Sequence, residues 1–245
     1  MNNTIETMKQ HRSIRSYLNK PIADEVLDQV LQAAQAMPTS INGQQCSIIV
    51  VKNTAKKQKI AKLAANQQWI GKAPVFLVFT ADFYRSSIAC EKNGQKQIIQ
   101  ESLEGTLVGA IDVGIALGAA IVAAESLDLG IVPIGAIRNN PAEMIELLEL
   151  PKYTYPIVGL AIGYPADKSA IKPRLPFKTF IHKESYDSHN VRTVIDEYDK
   201  TMEKYYRQRG DKDTNWSRQI ADIYKQVYFP AVYPTMKAQG FLNNK

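Results

Sequence analysis

The chain has 245 residues, 45% hydrophobic and 22% charged, the balance of a folded protein with a sizeable core and not of a disordered one. Thirty Lys and Arg against 24 Asp and Glu give a formal charge of +6. That favours anionic partners, but the cations are scattered without a basic block, which argues against nucleic acid and for a small phosphorylated ligand. Cys46 and Cys90 lack metal spacing and indicate neither a disulfide framework nor a zinc site. The polar first ten residues carry no apolar signal segment, so a cytoplasmic chain is expected.

In chain order, Asn3 with Glu6 three residues on reads as the capped start of a helix running to about Gln10. His11-Arg12-Ser13-Ile14-Arg15-Ser16-Tyr17 follows. Two guanidiniums, a hydroxyl and an imidazole in five residues suit a phosphate, which Arg grips as a bidentate fork. In extended backbone Arg12 and Arg15 would face opposite ways, so a shared ligand needs a turn; a solvated basic turn is the other reading. Asp24 opens a helix with Val26, Leu27, Val30, Leu31 and Ala34 on one face, ending at Pro38. The uncharged polar loop Thr39 to Gln45 either satisfies backbone or serves a ligand with many neutral donors and acceptors. Cys46 to Val51 reads as a buried strand, with Cys46 core and not nucleophile. Lys56 to Ala65 reads as a basic surface helix, Gln67 to Ile70 as a connector with an aromatic, and Val75 to Thr80 as a second strand. Asp82 to Gln95 is expected to be irregular, with Tyr84 and Arg85 at a rim.

Ser102 to Gly130 reads as one long helix, apolar on almost every side, which demands burial all round. Asp112 and Glu125 bracket its apolar run, leaving it short of a membrane span. Gly105 and Gly109, and Gly114 and Gly118, are four apart and form flat strips for close helix approach. The contact is within one subunit or across an interface; the size of the chain favours the interface. Gly130 is the expected helix cap. Ile131 to Arg138 reads as a short strand ending in a glycine turn. Asn140-Pro141-Ala142-Glu143 starts a helix that ends near Leu150, and Pro156 to Ile162 is a further strand. Strands separated by helices make a sandwich whose sheet need not be purely parallel. In Lys172-Pro173-Arg174-Leu175-Pro176 the prolines present both cations with little entropy left to lose. Past Asn190 an amphipathic helix carries Tyr198, Met202, Tyr205 and Tyr206. A charged loop from Arg207 to Asn215 and helices from Trp216 to Tyr228 and Pro230 to Gly240 follow. This tail reads as too poor in apolar residues for a core of its own, and so as an extension wrapping a body or a partner subunit.

No dinucleotide glycine fingerprint, P-loop, nucleophile elbow or zinc-protease motif is present, and His11, His182 and His189 are far apart. Phosphate-binding pieces without an acid–base or nucleophile set imply a bound cofactor that carries the chemistry. The segments His11-Arg12-Ser13-Ile14-Arg15, Ser40-x-Asn42-x-Gln44, Gln67, the Gly-Ala-rich helix, Ile134-Gly135-Ala136-Ile137-Arg138-Asn139-Asn140 and Lys172-Pro173-Arg174-Leu175-Pro176 stand in the order of a known family. The chain resembles the FMN-dependent nitroreductase family, in particular its oxygen-insensitive NADPH nitroreductases and NAD(P)H-dependent flavin reductases. The likeness spans nearly the whole chain, including Glu203-Lys204-Tyr205-Tyr206 and Thr214-Asn215-Trp216-Ser217.

The resemblance implies an α+β fold, an α/β/α sandwich with a mixed sheet around a long buried helix. It implies a single FMN-binding domain over 1–245 with 190–245 as a wrapping helical extension. It further implies a homodimer with one FMN in each of two interface clefts, and no nucleic acid or membrane partner. His11, Arg12, Ser13, Arg15 and Arg174 would hold the phosphate and ribityl end, with Arg15 and Lys172 also near the flavin pyrimidine edge. Ser40, Asn42 and Gln67 would contact the ring or ribityl chain, some from the second subunit. Ile134 and Gly135 would lie against the isoalloxazine with Ala136 in the same cofactor set, the Gly135 N–H reaching N5. No catalytic side chain is implied, because the flavin passes two electrons from NAD(P)H to nitroaromatics, quinones or free flavins in a ping-pong cycle. A flavin-binding module without turnover is the alternative. Phe229 stands where the NADPH-using branch holds the 2′-phosphate with an arginine. Arg207, Arg209, Lys212 and Arg218 lie near it in sequence, and Arg207, Arg209 and Lys212 are the candidate NAD(P)H contacts.

Overall fold

Every residue of β2 (Val75–Asp82) is buried, and the fold is built outward from that strand. A computed structural model describes residues 2–167, 169–210 and 213–245. β2 lies between β1 (Cys46–Val51) and β4 (Thr154–Gly163), and β3 (Gly130–Ile134) closes the far edge, in the order β1-β2-β4-β3. The three pairings are antiparallel. Among the described residues, parallel pairing enters through one bridge, Ser13 to Ile131. β2 is buried on both faces of the sheet, which explains its near-continuous Val, Phe and Leu.

The helices of the first unit are α1 (Asn3–Lys9), α2 (Asp24–Gln35), α3 (Thr54–Leu63), α4 (Gln68–Lys72), α5 (Tyr84–Lys92), α6 (Leu103–Ser126) and α7 (Pro141–Leu147). The second unit, 170–230, carries α8 (Val191–Gln208) and α9 (Trp216–Tyr224). α10 (Val232–Ala238) belongs to the first unit again. The main core joins Leu27, Val30 and Ala34 of α2 and Val113, Ala116, Ala120 and Ala124 of α6 to Leu77, Phe79, Leu160 and Ile162 of the sheet. A second cluster sets Met236 and Phe241 against Phe83 and Tyr155. These elements are the α+β fold expected from the sequence.

Several local expectations change. Asn2, not Asn3, caps α1, accepting from the Thr4 N–H. α5 replaces the irregular stretch, because the Asp82 carboxylate one residue before the helix boundary accepts from the Tyr84 and Arg85 N–H groups. α6 ends at Ser126 with Leu127 as its cap, Asp128 is left-handed at φ 61°, and Gly130 is the first residue of β3. Glycine is needed there for another reason: a Cβ would meet the Ile14 side chain at 2.8 Å. α7 ends at Leu147 and α9 at Tyr224, earlier than read. α3 is not wholly a surface helix, since Lys57 is 4% exposed and donates to the Ala73 and Pro74 carbonyls beyond α4. The second unit has a small core of its own, Tyr198, Met202, Tyr205 and Tyr206 with Leu175 and Trp216 against them.

α6 is only partly covered. At 24 residues it is long and apolar enough to cross a bilayer, so its length does not decide the matter. Its packing does: Gly105, Gly109, Val113, Ala116, Ala120 and Ala124 are buried against the chain's own core. The opposite face, with Leu103, Leu107, Ile111 and Ile115 at 38–58% exposure, is bare in the single chain.

Candidate functional site

The N-terminal cations are held against β3. Ser13 bridges Ile131, and the Ile14 N–H donates to the Ile131 carbonyl at 2.8 Å. Ile14 is buried where Gly130 leaves room for it. Tyr17 donates to the Ile14 carbonyl at 2.8 Å, and burial pushes its phenol above the ordinary range. One short stretch is thereby pinned, with Arg12 and Arg15 on either side of the anchor.

The two guanidiniums have separate supports. Arg12 donates to the Gln10 carbonyl at 3.3 Å and the Ser169 carbonyl at 3.4 Å. Arg15 lies 5.5 Å from the centre of the Trp69 ring, a cation–π contact that draws α4 and the neighbouring Gln67 toward the segment. The buried Trp69 Nε1 has no acceptor among the described residues. His11 Nδ1 donates to Glu125 Oε1 at 2.7 Å, in the last turn of α6.

β3 then delivers Ile134, Gly135 and Ala136, the last two in a 3-10 turn over Gly135–Arg138. Gly135 differs from the glycines packed in the sheet. At Gly159 a Cβ would strike the Phe76 ring at 2.3 Å, and at Gly163 the Pro74 ring at 2.6 Å. At Gly135 it would meet only Arg138 Nη2, at 3.4 Å, and the backbone there needs no positive φ. The protein's own packing does not demand a glycine at Gly135. A flat molecule lying against that amide would. The donor-rich cationic segment, the unpaired indole N–H and the bare glycine together fit FMN, whose phosphate needs charge and whose ring needs close backbone approach.

The loop with Ser40 and Asn42 is placed elsewhere. The Ser40 N–H donates to Asp112 Oδ1 at 3.2 Å; Asp112 is 2% exposed, and its other oxygen is buried without a partner among the described residues. Ile41, Asn42 and Gln44 are left-handed. Arg85 locks the far end, donating to the Gln44 and Cys46 carbonyls at 2.5 and 2.8 Å and to Ser47 Oγ at 2.9 Å. A cleft of about 1000 Å³ opens beside this loop, α2 and β1; of the expected cofactor contacts, Asn42 alone lines it. Cys46 also lines it, and burial pushes its thiol up to about 11, so it is no nucleophile.

In the second unit Lys172 lies 5.5 Å from the Tyr206 ring, and the Pro173 carbonyl accepts from Tyr198 at 2.8 Å. Arg174 is exposed. Of the candidate nicotinamide contacts, Arg207 pairs with Asp213 at 3.2 Å and Arg209 donates to the Tyr205 hydroxyl at 3.1 Å. Lys212 lies outside the described residues. Phe229 packs edge-on against Tyr228 at 4.7 Å. Sequence reasoning placed Arg85 at a rim but used Asp112 and Glu125 only to bound an apolar run, passing over their contacts with Ser40 and His11. Acidic residues inside an apolar helix were the available signal.

Residues 8–164 match the model of the nitroreductase family, and 172–244 match that family's C-terminal domain. The chain belongs to the nitroreductase family. It is similar to an FMN reductase (NAD(P)H) of Bacillus subtilis, with 51% identity over 98% of each chain. It superposes on the structure of B. megaterium NfrA2 with a TM-score of 0.97 at 49% identity, covering all of both chains. NADPH:FMN oxidoreductase from Vibrio harveyi, solved with NAD+, aligns over all of both chains at 34% identity and a TM-score of 0.90. The oxidoreductase class and the FMN cofactor expected from the sequence are those of this family.

Proposed function

We propose that this chain is a cytoplasmic NAD(P)H-dependent flavin reductase with nitroaromatic and quinone side activities, working as a homodimer with one FMN in each of two clefts. Gly135 carries the reading: it follows β3 directly, a Cβ there would touch only Arg138 Nη2 at 3.4 Å, and the same strand anchors the cation-bearing segment. When bound, FMN supplies the redox chemistry, taking a hydride from the nicotinamide and passing two electrons on to a flat acceptor. Arg12, Arg15, Ser13 and His11 bind the phosphate and ribityl end and hold the ring in register. Gln67, Ile134 and Ala136 fix its edge and face. Donor and acceptor use the same face of the ring in turn, which makes the cycle ping-pong.

The dimer is supported by α6. Gly114 and Gly118 have nothing within 4 Å of an added Cβ, although glycine inside a helix costs about 1 kcal/mol relative to Ala. Beside them Ile111 and Ile115 are exposed. A second α6 closing on this strip would return that cost. The same helix separates two groups of expected contacts: Ser40 is tethered at Asp112 and His11 at Glu125, about 20 Å apart at 1.5 Å per residue. That spacing supports Ser40 and Asn42 reaching the partner subunit's cofactor while His11 to Arg15 serve their own.

The test is spectroscopic and kinetic. Purified protein supplied with FMN is expected to retain a flavin absorption band that NADH or NADPH bleaches anaerobically, and free FMN, nitrofurazone or a quinone is expected to restore it. Protein that stays colourless after FMN addition sinks the reading. Bound flavin that neither nucleotide reduces makes the chain a binding module.

A further inference from the structure

His11 and Glu125 lie 114 residues apart in sequence and meet at 2.7 Å, with side chains 25% and 12% exposed. A carboxylate can only accept, so this contact puts the His11 proton on Nδ1. Glu125 stands in the last turn of α6, where the helix dipole already places partial negative charge. Its second oxygen is buried without a partner among the described residues. A half-paired carboxylate at the negative end of an apolar helix is an expensive arrangement if its only task is to tie down α1. Its chemical consequence is specific. With Nδ1 committed to Glu125, the ring is oriented, and Nε2 makes no hydrogen bond to the described residues.

We infer that Glu125 is a positioning residue for cofactor binding: it fixes the His11 ring with Nδ1–H donating inward, so that in the FMN complex the imidazolium donates its Nε2–H to the phosphate. The inference rests on the reading that this chain binds FMN through His11 to Arg15. Arg12 and Arg15 bring permanent charge on separate supports, Ser169 and Trp69. His11 adds a directed donor whose orientation depends on a residue from the opposite end of the first half of the chain.

The experiment compares FMN with riboflavin, which lacks the phosphate, by flavin fluorescence quenching on refolding-competent apoprotein. Wild type is expected to prefer FMN. Glu125→Gln is expected to weaken FMN binding about tenfold, the usual scale for losing a residue that orients a ligand-holding histidine, and to leave riboflavin binding unchanged. In a His11→Ala background the same substitution is expected to have no further effect. Equal weakening of both flavins, an unchanged FMN affinity, or the same tenfold loss without His11 overturns the assignment. Should Glu125→Gln fail to fold, nitrogen NMR of the FMN-loaded wild-type protein decides: His11 protonated at both Nδ1 and Nε2 upholds it, either nitrogen bare overturns it. Wild type that binds neither flavin refutes the FMN reading itself and is distinguishable from all of these.

Discussion

Glycine at two positions of one sheet answers to different demands. At Gly159 the missing Cβ makes room for Phe76, a rigid buried ring 2.3 Å from where that carbon would sit. Gly159→Ala is therefore expected to destabilise the fold by about 1–3 kcal/mol, the cost of overpacking, as a lower midpoint in urea. At Gly135 a Cβ would make only an ordinary contact, with Arg138 Nη2 at 3.4 Å. Gly135→Ala is expected to unfold within about 0.5 kcal/mol of wild type and yet bind FMN more weakly by about 1–3 kcal/mol, because the methyl occupies the ring's place. A destabilised Gly135→Ala with unchanged FMN affinity would mean that the glycine serves the turn and not a cofactor.

α6 works on two faces with two kinds of residue. Its small inner residues let it lie close on the sheet and α2; Gly105 is held beneath the Ile99 carbonyl and Gly109 against Ala81 and Phe83. The first glycine pair packs within the chain, as the single-subunit reading expects, and the second faces outward in the single chain. The outer strip argues for a second copy. Ile111→Lys would place an ammonium in the middle of that strip, 58% exposed in the single chain. It is expected to leave the monomer folded and to shift the protein from dimer to monomer in sedimentation velocity, with FMN occupancy falling alongside. A substituted chain that stays dimeric would move the interface elsewhere. The irregular stretch that proved to be α5 shows why such elements are hard to read: its nine residues lack a strong apolar stripe, and a carboxylate just upstream supplies the cap.

Across the whole molecule, burial of weak acids sets an alkaline limit. Burial raises Tyr155 to about 12 and Cys46 to about 11, and lifts Tyr17 further. Each loses its proton more readily in the unfolded chain. From about pH 9 for the thiol and pH 10 for the phenols, the unfolded state binds fewer protons than the folded one, so stability falls as pH rises toward the raised values. Below that window the contribution is complete. The urea midpoint is expected to drop steadily between pH 9 and 11, with the phenolate absorbance of two tyrosines appearing only as the helical signal is lost. A flat midpoint over that range would show that these groups ionise without cost in the native fold.

Local chemistry alone determined a good deal of this protein. The apolar length of α6, the strands at Cys46 and Val75, the Asn140-Pro141 helix start and the order of the cationic and glycine segments all depend on neighbours within a few residues. For that reason they were legible, and with them the family. Tertiary structure decided the rest. Where Gly130 is spent and which groups stand behind His11 and Ser40 are settled by contacts 72 to 116 residues apart in sequence, and the inward turn of Gly109 by Ala81 and Phe83 at the end of β2. The 3.6- and 2-residue periods say which face a side chain occupies, not what the chain brings back to meet it.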